Sequence, residues 1–425
     1  MLDQVETMDT EAPEGSRMTE LGPLPIEWEA VPLGDIGTLQ RGNDLPNADR
    51  RVGPYPVIGS NGVVGFHSES VARGPGVLVG RSGSVGKVAW VEHDFWPLNT
   101  ALWVKDFHGN DPRFVYYLLS WLNLGKYAAG VSVPTLNRNL LHPLKVALPP
   151  LPEQHAIAHV LRTVQRAKEA TEAVITATRE LKKSLMRHLF SYGPVRVDEV
   201  DRVVLKETEF GSVPVDWSII PLAKCAVIQT GTAKGRHLGA ATTVMLPYLR
   251  VANVQDGFLD LTEIKYIEIR EDEINRYRLV PGDVLLTEGG DFDKLGRGCL
   301  WDGEIGECVH QNHIFAVRTD QSVLRPEYLA YLTQSEYGKS YFLTVAHRTT
   351  HLACINSAKL KALPVPVASK MEQRDLVCIL RSIDRKLVVE ERRTASLDTL
   401  FETLLHDLMT GRLRVGADLP PEVRP

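Results

Sequence analysis

Leu151-Pro152-Glu153-Gln154-His155 opens an amphipathic run that reaches Phe190, and Lys370-Met371-Glu372-Gln373-Arg374 opens a second that reaches Met409. The two Glu-Gln pairs lie 219 residues apart, and their surroundings repeat with them. Upstream, Leu24-Pro25-Ile26-Glu27-Trp28 followed by Pro32-Leu33 recurs as Val213-Pro214-Val215-Asp216-Trp217 followed by Pro221-Leu222, with the tryptophans 189 apart. Pro54-Tyr55 with Asn61-Gly62 answers to Pro247-Tyr248 with Asn253, and Gly76-Val77-Leu78-Val79 to Gly282-Asp283-Val284-Leu285-Leu286. Pro112-Arg113-Phe114-Val115-Tyr116-Tyr117-Leu118 pairs with Pro326-Glu327-Tyr328-Leu329-Ala330-Tyr331-Leu332 as a helix start with Pro in its first turn. Leu136-Asn137 pairs with Ile355-Asn356. A period near 200 is too long for a solenoid and fits two domain-plus-helix units. The repeated frame predicts an α+β fold in which two globular α/β domains are separated by two long helices.

The helices carry the clearest physical signal. In the second, Leu376, Leu380, Ile383, Leu387, Glu390, Thr394, Leu397, Phe401, Leu404 and Leu408 alternate steps of four and three, the spacing of a coiled-coil seam. Ser369 with Glu372 forms a capping box and Gly411 ends the run. The first helix keeps the rhythm with Val160, Val164, Ala167, Thr171, Val174, Thr178, Leu181 and Leu185. Each run spans roughly 50 Å at ~1.5 Å per residue. Neither can leave such a stripe bare, so the two are expected to pair antiparallel, giving a pseudo-two-fold arrangement. The boundaries read as an acidic, disordered leader over 1–20, domain 1 over 21–150, helix 1 over 151–192, a linker over 193–212, domain 2 over 213–368, helix 2 over 369–411 and a tail over 412–425.

The net charge of −5 is carried by the N-terminus, where residues 1–27 hold seven acids against Arg17, leaving +1 for the rest. A nucleic-acid binder of that charge works through local basic faces. No stretch approaches the ~18–20 apolar residues of a membrane span, and an acidic start is unlike a secretory signal, so the chain reads as cytoplasmic. The five cysteines, Cys225, Cys299, Cys308, Cys354 and Cys378, all fall in the second half, which is not how a duplicated disulfide framework is distributed.

Catalytic signals are sparse. Gly80-Arg81-Ser82-Gly83-Ser84-Val85-Gly86-Lys87-Val88 has Arg81 where a phosphate loop needs its first Gly and Val88 where it needs Ser or Thr, so it reads as a tight turn between strands. Asp256 with Glu263 and Lys265 is a degenerate nuclease-like pattern absent from the first copy. Cys299, Cys308, His310 and His313 match no common zinc spacing, so the cysteines read as core and His313 as a surface or base-reading residue. No Gly-rich methyl-donor loop, methyltransferase tetrapeptide or helicase set is present.

The doubled Trp-x3-Pro-Leu entry, the turn at 76–87, the Leu148-Pro149-Pro150-Leu151-Pro152-Glu153-Gln154-His155 strip and the closing Leu404-Leu405-His406-Asp407-Leu408-Met409-Thr410-Gly411 resemble the specificity subunit of type I restriction-modification enzymes. The resemblance spans nearly all of residues 20–415. It implies a non-catalytic subunit whose two target-recognition domains each read one half of a bipartite site in double-stranded DNA. The paired helices would set the gap and dock two methyltransferase subunits, with restriction subunits joining through the complex. It implies no cofactor in this chain, the partners using S-adenosylmethionine, and ATP with Mg2+.

Arg and Lys suit guanine edges or phosphates, and Asn and Gln suit adenine. The candidate DNA-reading residues of the first domain are therefore Arg41, Asn43, Arg50 and Arg51, the turn residues Arg81, Ser82, Ser84 and Lys87, and Asn137 with Arg138. In the second they are Thr230, Thr232, Lys234, Arg236, His237, Asp291, Lys294, Arg297, His313, Arg348, Thr349 and Thr350. Three other readings stand beside this one: a catalytic nuclease or methyltransferase, a non-catalytic protein scaffold without sequence preference, and a stand-alone DNA-binding protein.

Overall fold

The repeated residues converge on two buried tryptophans. Trp28 is fully buried and its indole Nε1 donates to Glu153 at 2.8 Å; Trp217 is equally buried and donates to Glu372 at 3.2 Å. Burying an indole of ~150–250 Å² stabilises by roughly 4–6 kcal/mol at ~25 cal/mol/Å². An unpaired N–H would return about 1–3 kcal/mol of that. The glutamate of each Glu-Gln pair therefore anchors its helix to its domain. The glutamine does the rest: Gln154 accepts from the Asp111 amide and donates to Pro149 O, and Gln373 accepts from the Arg325 amide and donates to Ala368 O. Asp111 and Arg325 are the residues just before Pro112–Trp121 and Pro326–Gln334, so one side chain ties two helix starts together.

The computed structural model describes residues 12–130, 134–290, 295–348 and 353–416. The chain divides into two units, residues 1–173 with 391–425 and residues 174–390. In the first, an antiparallel four-stranded sheet runs in the order Thr38–Arg41, Ala101–Asp106, Gly76–Gly80, Val88–Val91. A second sheet orders Gly62–His67, Tyr55–Gly59 and Trp96–Pro97, and Glu29–Pro32 pairs with Lys145–Leu148. The second unit repeats this with Ala226–Thr230, Ile314–Thr319, Val284–Thr287 and Gly298–Leu300, with Lys265–Arg270, Thr243–Leu249 and Val309–His310, and with Ser218–Pro221 beside Pro364–Val367. Gly80 to Lys87 is a tight turn, closed by Gly80 N donating to Lys87 O and Gly86 N to Gly80 O, both at 2.8 Å.

The long helices run Leu151–Tyr192 and Lys370–Met409. Within the first unit Lys168 meets Asp398 at 2.5 Å and Glu153 meets Arg414; within the second Lys182 meets Asp384 at 2.7 Å. Gly193, just past the first helix, lies beside Glu372 at the start of the second, so in each unit the two helices are antiparallel. Ser369 and Glu372 form the reciprocal cap, with Ser369 N donating to the carboxylate at 2.9 Å. Among the described residues no helix is long and apolar enough to cross a membrane.

Leu376, Leu380, Ile383, Leu387, Leu397, Phe401, Leu404 and Leu408 are buried or half-buried, as are Val160, Val164 and Leu185. The expected phase of the first helix fails in its middle. Thr171 and Thr178 are buried as expected, but Val174 and Leu181 are 39% and 49% exposed, and Ile175, Met186 and Leu189 are buried instead. A strict three-four rhythm drifts by ~20° per heptad against a helix of 3.6 residues per turn, and here the helix follows its own period. Lys182 takes the place of Leu181, its ammonium reaching Asp384 and lying 5.6 Å from the Tyr331 ring centre.

The leader also ends earlier than residue 20. Ser16–Thr19 and Gly22–Pro25 form a hairpin, with Thr19 Oγ1 donating to Gly22 O at 2.8 Å across a glycine at φ +95°. The linker expected over 193–212 holds the same hairpin, Leu205–Thr208 with Gly211–Pro214, closed by Thr208 Oγ1 donating to Gly211 O at 2.6 Å. The duplication therefore starts earlier, at Thr19-Glu20-Leu21-Gly22 and Thr208-Glu209-Phe210-Gly211. Residues 1–11 lie outside the described residues.

Candidate nucleic-acid interface

In the first unit an open groove of about 600 Å³ is lined by Gln40, Arg41, Arg81, Leu102, Thr135, Leu136, Asn137 and Arg138. Three distant segments build it. Arg41 ends the edge strand, and Gly42 after it lies so close to Pro97 and Leu98 that a Cβ would collide with their carbonyls. The amide of Arg81 donates to Thr100 O, and that of Leu136 donates to Arg81 O, both at 2.9 Å. Asn137 caps the short helix Arg138–Leu141 by accepting from the Asn139 amide at 3.0 Å. Arg41, Arg81, Asn137 and Arg138 are thus brought together. Arg81 is steered by its Nη1 donating to Asn99 O at 3.2 Å, and Arg41 has Asp44 at 3.7 Å. Burial, and then the charge of Arg138, hold His142 below the usual imidazole pKa, while His142 Nε2 accepts from the Leu39 amide.

The other candidates of this unit lie around the groove or away from it. Ser84 Oγ donates to Asn61 Oδ1 at 2.6 Å, placing the loop with Ser82 and the exposed Lys87 against the hairpin turn at Ser60 and Asn61. Asn43 bridges to Leu98 through its backbone. Arg50 donates to Val64 O at 3.0 Å and the Arg51 amide to His67 Nδ1 at 3.0 Å, so both sit on the hairpin of Tyr55–His67 and not in the groove. Gln40 and Thr135 are not among the residues expected from the sequence, and Asn61 enters there as a repeated landmark, not as a DNA-reading candidate. Thr135 adjoins the repeated Leu136-Asn137, which is the signal that could have found it.

The second unit corrects two expectations. Thr232 is 1% exposed, its amide donating to His310 O, because Gly231 passes so close to His310 that the chain is drawn into the sheet. Arg236 is engaged by Glu273 and lies 5.5 Å from the Tyr277 ring centre, so its donors are occupied within the fold. Thr230, Lys234 and His237 are exposed, and Arg297 donates to Gln255 Oε1 at 2.8 Å. His313 Nδ1 lies 2.6 Å from Glu288 Oε2. Asp291, Lys294, Thr349, Thr350 and the side chain of Arg348 lie outside the described residues.

The nuclease-like set does not assemble as a triad: Glu263 meets Lys265 at 3.4 Å and Arg250 at 2.8 Å, whereas Asp256 pairs with Lys339 at 2.7 Å. Cys299, Cys308 and His310 are buried, with both thiols pushed up to about 12 by burial. Among the described residues no group of His, Cys, Asp and Glu is placed to hold a metal.

Residues 25–178 match the type I restriction modification DNA specificity domain. A putative type I restriction enzyme MjaX specificity subunit from Methanocaldococcus jannaschii is 27% identical over 208 residues, 48% of this chain and only about half (48%) of that relative. The type I restriction enzyme EcoKI specificity subunit of Escherichia coli is 23% identical over 401 residues, covering 84% of this chain and 82% of its own. The crystal structure of the S subunit of the type I restriction-modification system from M. genitalium has the same fold, with a TM-score of 0.59 at 17% identity over 90% of this chain and 96% of that one. Family match, relatives and fold agree with the doubled tryptophan-to-helix frame, the match of residues 25–178 to the type I restriction modification DNA specificity domain falling on its first copy.

Proposed function

We propose that this chain is the non-catalytic DNA-recognition subunit of a type I restriction-modification complex, each unit reading one half of a bipartite, asymmetric site in double-stranded DNA. The observation that carries the reading is one frame built twice with unlike polar linings. Arg41, Arg81 and Arg138 lie at the groove of the first unit, and Thr230, Glu288 and Ser357 occupy the corresponding positions of the second. Base edges are told apart by donor and acceptor patterns in the major groove, so two linings of different chemistry suit two different half-sites. The helices fix the gap and dock two methyltransferase subunits, through which restriction subunits join. The methyl donor, and ATP with Mg2+, belong to those partners' chemistry.

The test is to sequence the methylome of cells carrying this chain with its methyltransferase partner. A split motif with an unread gap is expected, and methylation without sequence preference supports the scaffold reading instead. Lengthening both long helices by one heptad adds about 10 Å at ~1.5 Å per residue. That should widen the gap by about three base pairs at ~3.4 Å each, with unchanged half-sites.

A further inference from the structure

The backbone around Arg81 is reproduced around Glu288. Arg81 N donates to Thr100 O and receives the Leu136 amide on its carbonyl; Glu288 N donates to His313 O and receives the Ile355 amide on its own. The next residues match as well, Ser82 bridging to Thr135 and Gly289 pairing with Cys354. Both residues directly follow an inner strand of a four-stranded sheet, third in order in each, Gly76–Gly80 in one unit and Val284–Thr287 in the other. One place in the fold thus presents a guanidinium in the first unit and a carboxylate in the second.

The side-chain settings differ in sense too. Arg81 leans on a carbonyl, that of Asn99, leaving further N–H donors for a ligand. Glu288 Oε2 meets His313 Nδ1, while Oε1 accepts no hydrogen bond among the described residues. Both members of the pair reach the surface, with side chains 30% and 55% exposed. A carboxylate with one oxygen oriented by an imidazole and the other open accepts hydrogen bonds, and cannot donate them when ionised.

We propose that residues 81 and 288 are the specificity-determining positions of the two readers: Arg81 donates to an acceptor edge such as guanine O6 and N7, and Glu288, oriented by His313, accepts from an exocyclic amino group, that of cytosine N4 first. This rests on the DNA-recognition reading above. The matching of carboxylates to the cytosine amino group, and of arginine to guanine, is a matter of donor and acceptor geometry in the major groove.

The experiment compares the methylomes of cells carrying the parent chain, Glu288→Gln, His313→Gln and Arg81→Gln with the same methyltransferase partner. Arg81→Gln should relax one position of one half-site. Glu288→Gln should relax one position of the other half-site by roughly tenfold, since an amide offers donors where the carboxylate offered only acceptors. His313→Gln should relax the same position more weakly. The base that loses discrimination tells cytosine from adenine. The proposal is overturned if both second-unit variants keep the parent motif with undiminished fidelity, or if they alter the half-site that Arg81→Gln alters. It also falls if neither accumulates as folded complex, which would make the pair a structural prop. A parent chain that yields no split motif would instead sink the recognition reading itself.

Discussion

The first unit holds its buried glutamate with an arginine, and the second does not. Glu153 receives Trp28 and is clamped by Arg414, whose Nε donates to it at 2.6 Å and whose Nη2 donates to it at 2.9 Å and to Glu27 at 2.7 Å. The residue aligned with Arg414 behind the first helix is Arg196, which pairs with Asp198 at 2.9 Å on the surface, and among the described residues Glu372 is held by Trp217 and the Ser369 amide. The same contrast separates the two reading positions, cationic at Arg81 and anionic at Glu288. Duplication thus preserves what the hydrophobic frame needs, an indole and its acceptor, and leaves the charges beside it free to differ.

The largest effect expected from this comparison concerns independence. Exchanging residues 28–148 for the equivalent domain of a relative should replace one half of the methylated motif and leave the other untouched, because each unit has its own core. Both halves changing together would show that the units do not read separately.

Next in size are the anchors. Trp28→Ala and Trp217→Ala should each cost about 3–5 kcal/mol, the range for deleting a buried aromatic. Thiol labelling separates the units. Burial pushes Cys225 up to about 11 and Cys299 and Cys308 up to about 12, so they stay protonated and shielded in the fold. All five cysteines belong to the second unit. Trp217→Ala should therefore speed labelling of these three buried thiols, and Trp28→Ala should lower stability without doing so. Equal acceleration by both would mean that the units unfold as one.

A smaller difference should separate the glutamates. Glu153→Gln removes the charge that Arg414 clamps and should cost about 2 kcal/mol, whereas Glu372→Gln, whose carboxylate meets the neutral N–H donors of Trp217 and Ser369, should cost about 1 kcal/mol. Denaturant melts of the two variants measure this, and a larger loss for Glu372→Gln would contradict the clamp.

The smallest effect is the pH response. Burial holds both His142 and the fully buried His310 below the usual imidazole value, so the folded state binds fewer protons than the unfolded one. The stability they contribute is present above about pH 6.5 and lost as pH falls through the depressed folded values. Melts from pH 8 to 5 should show both units weakening, the second more because His310 is the deeper. His310→Phe should flatten the second unit's slope, and an unchanged slope would remove His310 as the cause.

How far the sequence reached differs by element. The helix limits at 151–192 and 370–409 were legible because capping and apolar spacing are local properties. The phase near Val174 was not, because Ile175 one residue on is equally apolar and only packing chooses between them. Arg41, Arg81 and Asn137 could be named as polar loop residues without any sign that they share a groove. Thr232 carried the same polar label and is in the core.

By itself the sequence determined the duplication, the helices and the residues that join them, since tryptophan, proline and Glu-Gln recur in order and each has one packing role to fill. Only the tertiary structure decided which side chains face a ligand together. That outcome rests on hydrogen bonds between segments far apart in the chain, such as Arg81 N to Thr100 O, Leu136 N to Arg81 O and Glu288 N to His313 O. No local periodicity encodes such pairings, because the register of one strand against another is set by the whole core and not by either strand alone.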